Sequence, residues 1–328
     1  MDITTFIPRK LWVPGLLLLI LIVLATLPLY AGSNRVLFIS ATTLMYIALA
    51  VSWAIFSGPT GYMSLAPAAF FGVGIYTTAI LRNELPLGVI IVAAGIVSFI
   101  VALLVGLVTL RLKGIYFAIF TFGLVVLIGQ LVLYYDIHIL GVRGHPVTPT
   151  TYEIMYYCML GLAVATLLAA YFIRRSRLGL ALQSIGGNEE AAAHMGVNTT
   201  RVKVLTFAIS AIFMGAAGAI MGARMVFVDP AATFSVGYSF SPVLMAVFGG
   251  MGQLYGPVIG ATIFSLLEIW LSGRFPLYYA IIFGIILILV ILYLPGGVVG
   301  LIPKLRNRLR GVISRLGKGG KAEQHANT

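Results

Sequence analysis

Charge is scarce in this 328-residue chain: 9% of its residues are Asp, Glu, Lys or Arg, against roughly 25% in an average soluble domain. Cysteine is nearly absent. The single Cys158 lies in an apolar run, so no internal disulfide can form and the thiol reads as a small packing group. The four histidines, His138, His145, His194 and His325, are scattered without metal-ligand spacing. No paired carboxylates, Ser–His–Asp set or Cys–His set can be assembled, which leaves catalysis without support. No Walker A pattern occurs, so hydrolysis of ATP by this chain is not expected. Alternating apolar segments of about 10 residues are missing as well, which argues against a membrane β-barrel.

What fills the sequence instead is oil. Apolar residues make up 60% of it, mean hydropathy is +1.06, and several runs approach or exceed the ~20 residues a helix needs to cross a bilayer. The expectation is an all-α, polytopic helical bundle. About eight full spans are read at Leu11–Tyr30, Val36–Phe56, Tyr62–Leu81, Pro86–Leu110, Ile115–Tyr135, Ile154–Ile173, Val204–Val228 and Tyr278–Leu294. The first run is long for a signal peptide and reads as a retained helix. One membrane domain covers 1–303, a cytoplasmic loop interrupts it at 174–203, and a basic tail occupies 304–328.

The net charge of +12 does not point to nucleic acid, because the basic residues sit in short loops and at the tail. Arg174, Arg175, Arg177, Arg201 and Lys203 share one loop; Lys304, Arg306, Arg308, Arg310, Arg315, Lys318 and Lys321 share the tail; Arg9–Lys10 and Arg111/Lys113 make two further pairs. Placing all four groups in the cytoplasm satisfies the positive-inside rule and puts both termini there. Ser241–Leu271 must then enter from outside and return. Its glycines and proline (Gly249, Gly250, Gly252, Gly256, Pro257, Gly260) predict two unequal helices around a break inside the membrane.

A second cluster, "GPTGYMSLAP" (Gly58–Pro67), parallels the first: Gly58-x-x-Gly61 with a later Pro67 matches Gly249-x-x-Gly252 with a later Pro257. Paired interruptions of this kind point to a transport path; close packing through small residues is the competing explanation. Gly58, Gly61, Ser64, Thr121, Gly249, Gly250 and Gly252 are the path candidates, with Ser64 the strongest of the hydroxyls.

"SIGGNEEAAAHMGV" (Ser184–Val197) carries a full start and stop signal for a short helix. Asn188 caps it, Glu189 and Glu190 suit its positive end, Ala191, Ala192 and Ala193 form a small face, and Gly196 ends it. A helix this short is unstable alone. It either docks into a partner's groove or lies on the membrane surface, and its weak apolar face favours docking.

Four stretches in order, "GPTGYMSLAPAAFFGVGIYTTAIL", "LRLKGIYFAIFTFG", "SRLGLALQSIGGNEEAAAHMGVNTTRVKVLTFAISAIFMGAAGAIMGA" and "MAVFGGMGQLYGPVIGA", resemble the M-type membrane subunit of branched-chain amino-acid ABC importers. The likeness runs from about Met45 to Gly300. Before the first glycine cluster that family has a Gly-Leu-Asn-Leu-like stretch where this chain has "VSWA" (Val51–Ala54). The resemblance implies a non-catalytic permease that binds no cofactor, with ATP and Mg used by partners. Those partners are a second, H-type permease, two cytoplasmic ATPases and an extracytoplasmic substrate-binding protein, in the bilayer of a bacterial or archaeal cytoplasmic membrane. Glu189–Ala193 would be the helix that docks on an ATPase.

Two other readings compete: an ion-coupled secondary transporter working without ATPases, and a membrane enzyme. The first needs intramembrane charges, and Glu268 is the main candidate. A Glu268 carboxylate that reaches water or Arg274, about one turn away, is the simpler expectation. Arg224 and Asp229 are expected near an outer vestibule, facing a binding protein or forming an ion pair, and Asp136 and Arg143 flank an outer loop that could meet the same partner.

Overall fold

The computed structural model describes residues 21–30, 32–278, 281–286, 288 and 297. The first described helix is α1 (Leu21–Tyr30). There follow α2 (Asn34–Thr60), α3 (Pro67–Leu81), α4 (Leu87–Thr109), α5 (Ile115–Tyr135), α6 (Tyr152–Arg175), α7 (Arg177–Gly187), α8 (Glu189–His194), α9 (Thr199–Gly222), α10 (Pro230–Thr233), α11 (Gly237–Gly249) and α12 (Gly256–Arg274). A π-helical turn, Asp136–Leu140, ends α5, and two short antiparallel strands far apart in sequence pair His145 with Val228 and Pro146 with Phe227. Among the described residues seven helical stretches are long and apolar enough to cross a membrane, so the bundle is polytopic as expected. Of the span expected at Tyr278–Leu294, residues 281–286 and 288 are described and helical; the rest beyond Tyr278, the whole tail at 304–328 and the placement of both termini lie outside the described residues.

The centre is built from α2 and α9, the most buried of the long helices; α4, α5 and α6 form a more exposed rim. Apolar burial gains little when the surroundings are lipid, so close approach and dispersion must hold such helices together. The small residues of α9, "MGAAGAIMG", supply that approach. A Cβ on Gly215 would overlap the Ser98 hydroxyl and one on Gly218 would overlap the Phe71 carbonyl, so α3 and α4 lie almost backbone to backbone with α9. Beside them Phe56, Phe70 and Phe117 pack edgewise or tilted around Phe207.

Two expectations need correction. The span read as Tyr62–Leu81 is helical only from Pro67: Gly61–Ala66 is extended chain. The Gly/Pro cluster at 249–260 splits two unequal helices, as expected, and the break at 250–255 meets Arg174, at the end of α6. The span read as far as Val228 also stops early, because α9 ends at Gly222 and the chain turns into the short strand Phe227–Val228.

Candidate coupling and transport site

Three side-chain caps punctuate the connection between α6 and α9. Ser176 accepts from the Gly179 N–H at the start of α7, Asn188 Oδ1 accepts from the Ala191 N–H (3.0 Å) at the start of α8, and Asn198 Oδ1 accepts from the Arg201 N–H (3.0 Å) at the start of α9. Gly196, at φ +88, turns the chain out of α8. The caps satisfy N–H groups that three consecutive helix starts leave free. They make an angular element out of segments too short to hold their own shape.

The alanines of α8 divide. Ala192 is 0% exposed and packs inward, whereas Glu190, Ala191, Ala193 and His194 are exposed and Met195 just beyond is 72% exposed. The face open to a partner is therefore Glu190–Ala191–Ala193–His194–Met195. The expectation that all three alanines share that face fails at Ala192, whose place in the helical repeat turns it toward the bundle.

Glu189 also faces inward. Its carboxylate receives the Lys203 ammonium at 2.6 Å and the Tyr62 hydroxyl. Lys203, 3% exposed, donates as well to the Leu110 carbonyl at the end of α4 (3.2 Å) and lies 4.7 Å from the centre of the Tyr62 ring. Burial opposes the charged form of Glu189, but the hydrogen bonds from Lys203 and Tyr62 and the positive charges of Lys203 and Lys113 outweigh it and hold the pKa below the usual carboxylate value. Among the described residues Glu190 meets only Lys113, at 3.6 Å between exposed side chains.

The two glycine clusters, some 190 residues apart in sequence, meet at this same end. Gly58 lies where a Cβ would be 3.2 Å from the Met251 carbonyl oxygen. Arg174 donates to the carbonyls of Met251 (3.1 Å) and Gly252 (3.3 Å), just past Gly250, whose φ of +104 ends α11. A Cβ on Gly186, in α7, would overlap the Pro59 carbonyl oxygen. Gly249 sits so close to Gly256 that no side chain fits between α11 and α12.

After Gly61, at φ +72, the chain runs back into the bundle without helical bonds, and side chains replace them. The Trp53 indole donates to the Ser64 carbonyl (2.8 Å), Thr121 Oγ1 accepts from the Leu65 N–H (2.9 Å), and Ser239 Oγ donates to the Leu65 carbonyl (2.8 Å) and accepts from the Ala68 N–H (3.1 Å). Non-helical backbone at this depth is tolerated only when it is satisfied in this way. Ser64 and Thr121 thus belong to one structure. Ser64 is buried among Trp53, Phe56, Pro67, Phe70, Phe207 and Met214, and Thr121 holds the segment from α5 while bonding its own helix at the Phe117 carbonyl. Gly61 and Met63 are the exposed residues of the segment.

Sequence reasoning missed Trp53, Tyr62, Arg174, Lys203 and Ser239. Trp53 and Ser239 look like ordinary span residues, and only their partners mark them. Lys203 was counted as a loop charge; its position one turn into an apolar helix is the signal that sets it apart.

The remaining charges are placed differently from expectation. Glu268 does not pair with Arg274: its Oε1 accepts from the Tyr46 hydroxyl at 3.4 Å, and its Oε2 has no hydrogen-bond partner among the described residues. Arg224 stacks over the Tyr152 ring at 4.0 Å rather than pairing with Asp229, which caps α10 through the Ala232 N–H and lies 3.9 Å from Arg143. Asp136 is fully buried, bonded to the Tyr76 hydroxyl and to His145 Nε2 (3.2 Å), so it is not open to a partner. Among the described residues no cluster of three or more His, Cys, Asp or Glu could hold a metal ion.

Residues 35–291 match the family described as branched-chain amino acid transport system / permease component. The chain is 28% identical over 333 aligned residues to the high-affinity branched-chain amino acid transport system permease protein LivM of Salmonella typhimurium, covering 90% of this chain and 76% of that protein. The LivM protein of Escherichia coli is 27% identical over the same shares. The Escherichia coli permease protein LivH is 33% identical over 138 residues, 42% of this chain and 44% of that one. No solved structure matches significantly.

Proposed function

The chain belongs to the family of branched-chain amino acid transport system permease components, a multi-pass membrane permease subunit, and from that premise we propose that it forms one membrane half of an importer driven by separate ATPases. Its partners in this reading are an H-type permease, which completes the path, two cytoplasmic ATPase subunits that bind ATP and Mg, and an extracytoplasmic binding protein that delivers a branched-chain amino acid. The complex sits in a bacterial or archaeal cytoplasmic membrane, with α6–α9 turned to the cytoplasm.

The observation that carries this reading is the outward face of α8. A six-residue helix, capped at its start, ended by a left-handed glycine and fastened to the bundle on its inner side, offers Glu190, Ala191, Ala193, His194 and Met195 to something outside the chain. Small side chains followed by one long flexible methionine suit close seating in a protein groove. Gly61–Ala66, flanked by α5 and α11, is this subunit's share of the path wall, with Gly58, Ser64, Thr121 and Gly249–Gly252 as its supports. ATP acts through unequal stability of inward- and outward-open arrangements.

The test is gentle purification of the tagged chain from its native membrane, with mass spectrometry of what accompanies it, followed by leucine uptake in proteoliposomes. A second permease and ATPases are expected with the wild type. Ala193→Arg should lose the ATPases while the permease pair stays together. Leucine uptake that runs on an ion gradient with no ATPase present would overturn the proposal.

A further inference from the structure

The coupling segment grips both interrupted helices, and it does so through side chains with no other evident task. At the first interruption, Tyr62 stands directly after the glycine that ends α2 and gives its hydroxyl to Glu189 of α8. Lys203 completes the triangle from α9, bonding Glu189, the Tyr62 oxygen (3.3 Å) and the end of α4. At the second, Arg174 spans two successive carbonyls, Met251 and Gly252, in the break between α11 and α12. Gly186 is pressed on the Pro59 carbonyl between the two. Burying an ammonium, a carboxylate and a phenol together is costly unless each bond is made, and here each is. A cap alone would need only Asn188.

We propose that Tyr62, Glu189 and Lys203 form a positioning latch that passes displacement of α8 to the extended segment Gly61–Ala66, and that Arg174 passes it in parallel to the break at 250–255. This rests on the reading of α8 as the ATPase-docking helix. The latch explains why the glycine clusters gather at one end of the bundle: each is a flexible joint with a rigid polar handle. When α8 moves, both joints receive the motion through short hydrogen bonds. Packing around Ala192 and Gly186 keeps the element from yielding first.

The experiment is hydrogen exchange measured by mass spectrometry on the whole complex in nanodiscs, with and without ATP trapped by vanadate. Peptides covering 61–66, 189–194 and 250–255 are followed. In the wild type all three should respond to nucleotide. Tyr62→Phe removes one hydroxyl and leaves no charge stranded. The double variant Glu189→Gln with Lys203→Met removes both charges together, so it keeps the fold where either change alone could lose it. In both, 189–194 should keep its response while that of 61–66 falls roughly fivefold or more, the scale of coupling between linked sites, and 250–255 should respond as before. Arg174→Gln should give the opposite pattern. A merely structural role would raise exchange with and without nucleotide alike. An undiminished response at 61–66 in both latch variants overturns the latch and leaves docking standing. No response at 189–194 in the wild type overturns the docking assignment and the latch with it.

Discussion

Each end of the bundle ties an acid to a tyrosine hydroxyl and to one basic side chain. At the end that carries α8 the set is Glu189, Tyr62 and Lys203; at the other it is Asp136, Tyr76 and His145. The two differ in what they join. The first bridges a short helix, an extended segment, the end of α4 and the first turn of α9. The second ties the end of α5 to α3 and to the strand at His145–Pro146 in the loop between α5 and α6. The basic partner differs too: a lysine ammonium at one end, an imidazole at the other. The same chemistry thus serves as a link between helix ends at one end and as a clasp on a surface connection at the other.

The largest effect expected is from breaking the first set unevenly. Glu189→Ala leaves the Lys203 ammonium buried with only a carbonyl and a phenol, and loss of one partner of a buried pair costs about 3 kcal/mol or more. Thermal unfolding of the purified protein in detergent should show it. His145→Ala at the other end should cost less, about 2 kcal/mol, because Tyr76 still donates to Asp136 and water can replace the half-buried imidazole. Equal losses at the two ends would erase the distinction between link and clasp.

Much of this was legible in the sequence. The capped helix at 189–194, the paired glycine clusters and most spans follow from local rules of helix starts, breakers and hydropathy, and those rules act on neighbours. Boundaries failed where distant partners decide them. Gly61–Ala66 reads as the start of a span because it is apolar; it stays extended because Trp53, Thr121 and Ser239 satisfy its backbone from three other helices. Ala192 and Ala193 are indistinguishable as letters and differ only in the direction they face once α8 is placed. Glu268 looks like a neighbour of Arg274 along the helix, but Tyr46 reaches it from across the bundle.

Acid should separate the ends further. Because the pKa of Glu189 is held below its ordinary 4.5 in the folded protein, its charge contributes stability that is fully present above that value and is lost as pH falls through the depressed one. Unfolding temperature measured from neutral pH downward should therefore decline over this acid window in the wild type. The Glu189→Gln/Lys203→Met variant, which has no carboxylate there, should show a shallower decline. Parallel curves would mean that the pair adds no pH-dependent stability and that its bonds serve position alone.

The smallest effects belong to the outermost charges, which serve as the control on the comparison. Lys113 meets Glu190 at 3.6 Å and Arg143 meets Asp229 at 3.9 Å, with exposed basic side chains in both cases. Water screens such pairs, and ordering two long side chains offsets most of what attraction remains, so each should contribute at most about 0.5 kcal/mol. Asp229 keeps its bond to the Ala232 N–H when Arg143 is removed, and Glu190 stays solvated when Lys113 is removed. Lys113→Ala and Arg143→Ala should thus unfold within a degree or two of the wild type (~0.5 kcal/mol), whichever end they come from. A large loss from Lys113→Ala alone would mean that Glu190 belongs with Glu189 in holding α8, and would take it away from the face offered to a partner.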